Sequence, residues 1–115
     1  MKSRPSYRKA IIRLASDGFS ILEADGTLHD LAWASVKEVF AFKLDLLMCD
    51  TIRLGFRLSD GTYLQVDEDD TGYRELVAEI ERRFDLVEKD WWTKVAFPAF
   101  ATNRTTLWGE PSPQP

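Results

Sequence analysis

Cys49 and His29 are the only cysteine and the only histidine of the chain, so a thiolate–imidazole pair is the one Cys-His device open to it. Cys49 follows Leu46, Leu47 and Met48. Such an apolar setting raises a thiol pKa and leaves the group inert. His29 precedes Leu31 by two residues on a predicted strand face, where a lone imidazole is structural more often than catalytic. One Cys and one His cannot supply the ligand set of the usual structural zinc sites. Asp67-Glu68-Asp69-Asp70 offers oxygen atoms to a hard cation, but it lacks the spaced aspartates, glycine and distal glutamate of a calcium loop. The six glycines are dispersed and fall mostly in turn signals, so no phosphate-cradling loop is present. No spacing selects two carboxylates for acid–base work. These residues point to a chain without catalysis, cofactor or metal.

Two groups remain that suit recognition instead. Lys43, Arg53 and Arg57 are expected to point outward from neighbouring strands. Cross-strand spacing would gather them into a cationic patch for an anionic protein or nucleotide, joined by Arg13 if the sheet closes. The alternative is interspersed solubilising charge. The second group is aromatic: Trp91, Trp92, Phe97, Phe100 and Trp108 bring three of the four tryptophans into one late stretch. Such rings either cover an open sheet edge or barrel mouth, or they form a partner surface or homodimer seam.

Charge narrows the partners. Nineteen acidic against fifteen basic residues leave a net charge of −4, which argues against a binder of nucleic-acid backbone. Lys2, Arg4, Arg8, Lys9 and Arg13 make a basic start, and the acidic run lies far downstream. Both read as solvated surface. A lone cysteine forms no internal disulfide. No apolar run follows the basic start, and none approaches the ~20 residues of a membrane span. A cytoplasmic location without membrane association is therefore expected, and the sequon Asn103-Arg104-Thr105 is taken as accidental. With 44% hydrophobic and 30% charged residues, the chain can bury a core unaided.

The elements that must position these groups follow from hydrophobic spacing. Strands are predicted at 8–14, 19–23, 28–33, 36–44, 51–58 and 63–67, in hairpin order. Asp25-Gly26 predicts a type I′ turn, and Asp60-Gly61 a second tight turn. Tyr73, Leu76, Val77, Ile80 and Phe84 then form the apolar stripe of a helix, capped by Asp70 or Thr71. Asp90 opens a short helical turn through Trp91, Trp92 and Val95, ended by Pro98. The organisation is an N-terminal arm (1–7), a β-rich unit with its helix (8–84), an aromatic extension packed on it (85–109) and a disordered tail (110–115).

Gly18-Phe19, the Asp25-Gly26 turn, Leu31-Ala32-Trp33 and Val36-Lys37-Glu38-Val39 resemble the start of small bacterial domains of the pleckstrin-homology-like (PH-like) fold. The stretch Trp91-Trp92-x-x-Val-Ala-Phe-Pro-Ala-Phe-Ala-Thr-Asn is similar to small bacterial proteins of unknown function. The resemblance implies an α+β, mostly β chain: an antiparallel six- to seven-stranded open barrel or orthogonal sandwich capped by one C-terminal helix. Seven strands usually precede that helix and six are counted here, so one is split, missing or supplied by the aromatic extension. The first hairpin loop, Ala15-Ser16-Asp17-Gly18, is short and carries no cation, so phosphoinositide recognition is not carried over. The expected function is a non-catalytic protein-interaction or self-association module. Two alternatives stand beside it: an immunity- or inhibitor-type protein neutralising a basic partner, and a small-ligand carrier or unrecognised enzyme.

Overall fold

Both Asp-Gly turns close their hairpins with the same local bonds. The N–H of Gly26 donates to the Glu23 carbonyl (2.9 Å), and the N–H of Glu23 donates to the Thr27 carbonyl (2.8 Å). Gly61, Leu58 and Thr62 repeat the pattern at 2.9 and 2.8 Å. The loops are thus three residues long, with the glycine alone in the left-handed bulge position (φ 94° and 89°). This corrects the type I′ expectation at Asp25-Gly26. Asp25 serves through its side chain instead, since its carboxylate accepts the Thr27 N–H at 3.0 Å.

The computed structural model describes residues 9–45, 50–87, 89–96 and 104–111. Strands β1 (Ile11–Ala15), β2 (Gly18–Leu22) and β3 (Leu28–Ala32) form one antiparallel sheet. A 3-10 turn at Trp33–Ser35 leads into β4 (Val36–Asp45), followed by β5 (Asp50–Leu58) and β6 (Tyr63–Asp67). Helix α1 (Tyr73–Arg83), a short α2 (Trp91–Ala96) and β7 (Thr105–Gly109) complete the described chain. The second sheet has the order β6-β5-β4-β7, so the last strand returns to pair with the fourth. The chain is mostly β, in two antiparallel sheets that do not close into a barrel. The seventh strand comes from the C-terminal extension, after the helix.

Alternation assigns the faces. Ile12, Phe19, Ile21 and Leu31 meet Val39, Leu54, Phe56 and Val66 between the sheets, and Leu76 and Ile80 of α1 seal them. Each such side chain contributes roughly 1.5–3 kcal/mol on burial. A line of rings runs through this core: Phe56–Phe19 and Phe19–Trp33 at 5.1 Å, Trp33–Phe84 at 5.9 Å, Phe84–Trp108 at 4.6 Å. It joins β5, β2, the 3-10 turn, the end of α1 and β7.

The two sheets are stitched where the acidic run meets β1. Ile12 N–H donates to the Thr71 carbonyl at 2.8 Å, and Thr71 N–H to the Ala10 carbonyl at 3.0 Å. Asp70 is buried between them; its two oxygens accept the N–H groups of Ala10 (3.1 Å) and Asp67 (2.9 Å). It is therefore a sheet-to-sheet clasp and not the predicted helix cap. Neither Asp70 nor Thr71 takes that role: the capping residue is Gly72 (φ 92°), with no side-chain bond. A β-carbon at Gly72 would lie 2.4 Å from the Ile12 carbonyl oxygen, so the close approach of β1 also requires glycine there.

Removing the clasp leaves buried N–H groups without acceptors. Asp70→Ala is expected to lower the unfolding free energy by about 2–3 kcal/mol, and Asp69→Ala by no more than about 0.5 kcal/mol. Denaturant unfolding of the two variants checks the contrast; equal losses would remove the clasp role.

Candidate functional site

The C-terminal extension folds back on itself and pairs with the second sheet. Val87 N–H donates to the Leu107 carbonyl (2.8 Å), and β7 pairs with β4 from Glu38↔Gly109 to Ala41↔Thr105. A bulge between these pairs turns Leu107 and Trp108 to the same side, where both join the core. Trp91 of α2 is buried as well, its Nε1 3.4 Å from the Glu81 carboxylate. Trp108 is half-buried against Phe84. The extension thus covers the β4 edge and supplies core rings. Trp92 does neither, and its side chain is 57% exposed. Phe97 and Phe100 lie outside the described residues, as does Cys49. His29 places its Nε2 3.5 Å from the Glu23 carboxylate.

The cationic residues occupy places other than the expected patch. Lys43 is opposite Ile52 and shares its inner face, 4% exposed, with its ammonium on the Ala96 carbonyl at the end of α2 (2.7 Å). Its outward placement is therefore corrected. The register is the reason, because Phe42 and not Lys43 stands opposite Arg53. Arg53 is 3.2 Å from the Asp67 carboxylate, and Arg57 is bound to Glu38 and to the Glu110 carbonyl (2.7 Å). Arg13 belongs to the other sheet. No single patch gathers these four side chains.

What holds Arg57 is the least expected feature of the second sheet. Glu38 is fully buried, yet it lies in phase with Phe40 and Phe42 on the outer face of β4. Thr106 Oγ donates to its carboxylate at 2.6 Å, Arg104 reaches both oxygens at 3.2 and 3.3 Å, and Arg57 lies at 3.4 Å. Arg104 also stands 3.8 Å above the Phe40 ring, which covers Gly55 on the neighbouring strand. A β-carbon at Gly55 would sit 2.2 Å from that ring. Burial pushes the Glu38 carboxyl up; the Thr106 hydroxyl and the guanidinium groups of Arg104 and Arg57 outweigh it and hold the group below its ordinary value. The signal in the sequence was a glutamate two residues before Phe40, in the same alternating phase. Its partners Arg104 and Thr106 lie 66 and 68 positions away.

Closing the extension onto the sheet creates a cleft of about 260 Å³ between β5, α1 and α2. Ile52, Glu68, Tyr73, Val77, Trp91 and Trp92 line it. Glu68 is oriented by accepting the Ile52 N–H. Burial raises its carboxyl; the Ile52 N–H opposes that shift, and Asp69 and Asp67 add to it. The Tyr73 hydroxyl is pushed well above the ordinary tyrosine range by burial, with Glu68, Asp67 and Glu81 contributing. A different hollow of about 300 Å³, lined by His29, Arg53, Tyr63 and Asp70 among others, is more polar and lies where β6 faces the first sheet. Among the described residues, no three Cys, His, Asp or Glu side chains gather in a metal-holding group. No described helix is long and apolar enough to cross a membrane.

Since folding depresses the Glu38 pKa, its contribution is complete above the usual glutamate value near 4.5 and is lost as pH falls through the lower folded value. Glu38→Gln should cost about 2–4 kcal/mol near neutral pH, and the gap to the parent chain should narrow toward about pH 3. Urea unfolding across that range measures both, and a constant gap would contradict the charge-based account. No family model, curated protein or solved structure matches this chain.

Proposed function

We propose that the chain is a non-catalytic protein-interaction module that docks a partner at the cleft between β5, α1 and α2. The observation that carries this is Trp92. Its ring stays 57% exposed beside a buried Trp91 and walls an apolar hollow, although the same segment buries Trp91 and Val95 completely enough to anchor itself. A large ring left in water adds little to folding and is valuable at an interface, where tryptophan is enriched among the residues carrying most binding energy.

The cleft's size favours a partner side chain over a free ligand. At about 260 Å³ it falls below the ~300–1,000 Å³ of sites that enclose small molecules. The element order supports placing this module on a PH-like scaffold, with its seventh strand supplied after the helix. An inhibitor-type role fits the same surface, because the exposed Glu68 and Asp69 would face a basic partner.

Trp91→Ala should destabilise the fold by about 3–5 kcal/mol, while Trp92→Ala should cost under about 1 kcal/mol. A photo-crosslinking residue at position 92 should give a discrete adduct in the native cell, and one at Glu75, on the exposed side of α1, should give none. An adduct of twice the chain mass would identify self-association. Indistinguishable labelling from the two positions would overturn the docking role of the cleft.

A further inference from the structure

The cleft combines three aromatic residues with one carboxylate, and that set selects charge as well as shape. Resting on the docking role proposed above, we infer that it receives a cationic side chain, lysine or arginine, presented by a partner protein. Ile52 and Val77 offer aliphatic surface to a methylene stem. Tyr73, Trp91 and Trp92 bring three aromatic rings to the lining, and a cation is attracted to the face of such a ring. Glu68 supplies the opposite charge. It is exposed, held in place through one oxygen by the Ile52 N–H, and its second oxygen takes no hydrogen bond from a described residue.

The surroundings reinforce the sign. Glu68, Asp67 and Glu81 all act on the Tyr73 hydroxyl, and each is negative. Among the described residues lining the cleft none is basic. A neutral side chain would gain only the contact area, and an anionic one would be repelled. Asp69 and Asp67 both act on Glu68 with like charge, so an arriving cation relieves a repulsion already present. The chain's own cations are committed elsewhere near this end of the sheet, Lys43 to the Ala96 carbonyl and Arg53 to Asp67. The charge the cleft lacks is therefore the one a basic partner would bring.

The test uses the full chain and three side-chain mimics that share a butyl stem: n-butylammonium, n-butylguanidinium and uncharged 1-butanol. Binding is followed through the indole N–H signal of Trp92 by NMR. At least one cation should bind about five-fold or more tighter than 1-butanol. That advantage should fall at least about three-fold in Glu68→Gln, which keeps an oxygen for the Ile52 N–H, and should shrink between about 20 mM and about 500 mM salt. The salt series needs no variant, so it decides even if Glu68→Gln folds poorly. If 1-butanol binds as tightly as both cations, the charge selection is overturned while apolar docking stands. If none of the three perturbs Trp92, the cleft accepts no side chain, and the docking role falls with it.

Discussion

A carboxylate with no exposed surface sits on the outer face of the second sheet, and the remaining architecture of that half follows from satisfying it. An unpaired buried charge costs several kcal/mol, so Glu38 is tolerable only where Arg57, Arg104 and Thr106 converge on it. Two of those three belong to the C-terminal extension. Their convergence therefore requires the extension to lie along β4, and pairing as β7 is the arrangement that also satisfies its backbone. Once β7 is in place, its bulge delivers Leu107 and Trp108 to the core. Helix α2 lies against β4, β5 and β7.

The aromatic extension consequently has two roles in one stretch. Trp91, Val95, Leu107 and Trp108 are part of the core, and without them one edge of the second sheet and one end of the helix would be bare. Trp92 stays exposed and lines the cleft together with its buried neighbour Trp91. Core and candidate interface are adjacent residues on one helical turn. Among the described rings of the extension, Trp91 and Trp108 pack on the core while Trp92 stays exposed.

Much of the fold was legible because its signals are local. Strand alternation from Ile52 to Leu58, the stripe from Tyr73 to Phe84 and the two Asp-Gly turns each depend on residues a few positions apart. Of the candidate site, Trp91 and Trp92 stood out by type, but Glu68 was read only as part of an acidic run, and Tyr73, Val77 and Ile52 only as core. The acidic run is instructive: its four members look equivalent in sequence, yet Asp70 clasps β1, Asp67 faces Arg53 and Glu68 binds the Ile52 N–H. Their separate fates are set by which strand each one meets.

The sequence by itself determined where elements begin and turn, which faces are apolar, and that the chain carries an aromatic excess beyond its helix. Tertiary structure alone decided register, and register decided chemistry. With Phe42 opposite Arg53, Lys43 falls on the inner face beside Ile52; a shift by one residue would have sent it outward into the expected patch. The same holds for Glu38, whose partners are fixed by a pairing between strands almost seventy residues apart. Periodicity in a strand records which residues share a face. Which side becomes the interior, and what stands across from each residue, is settled only when the other strand arrives.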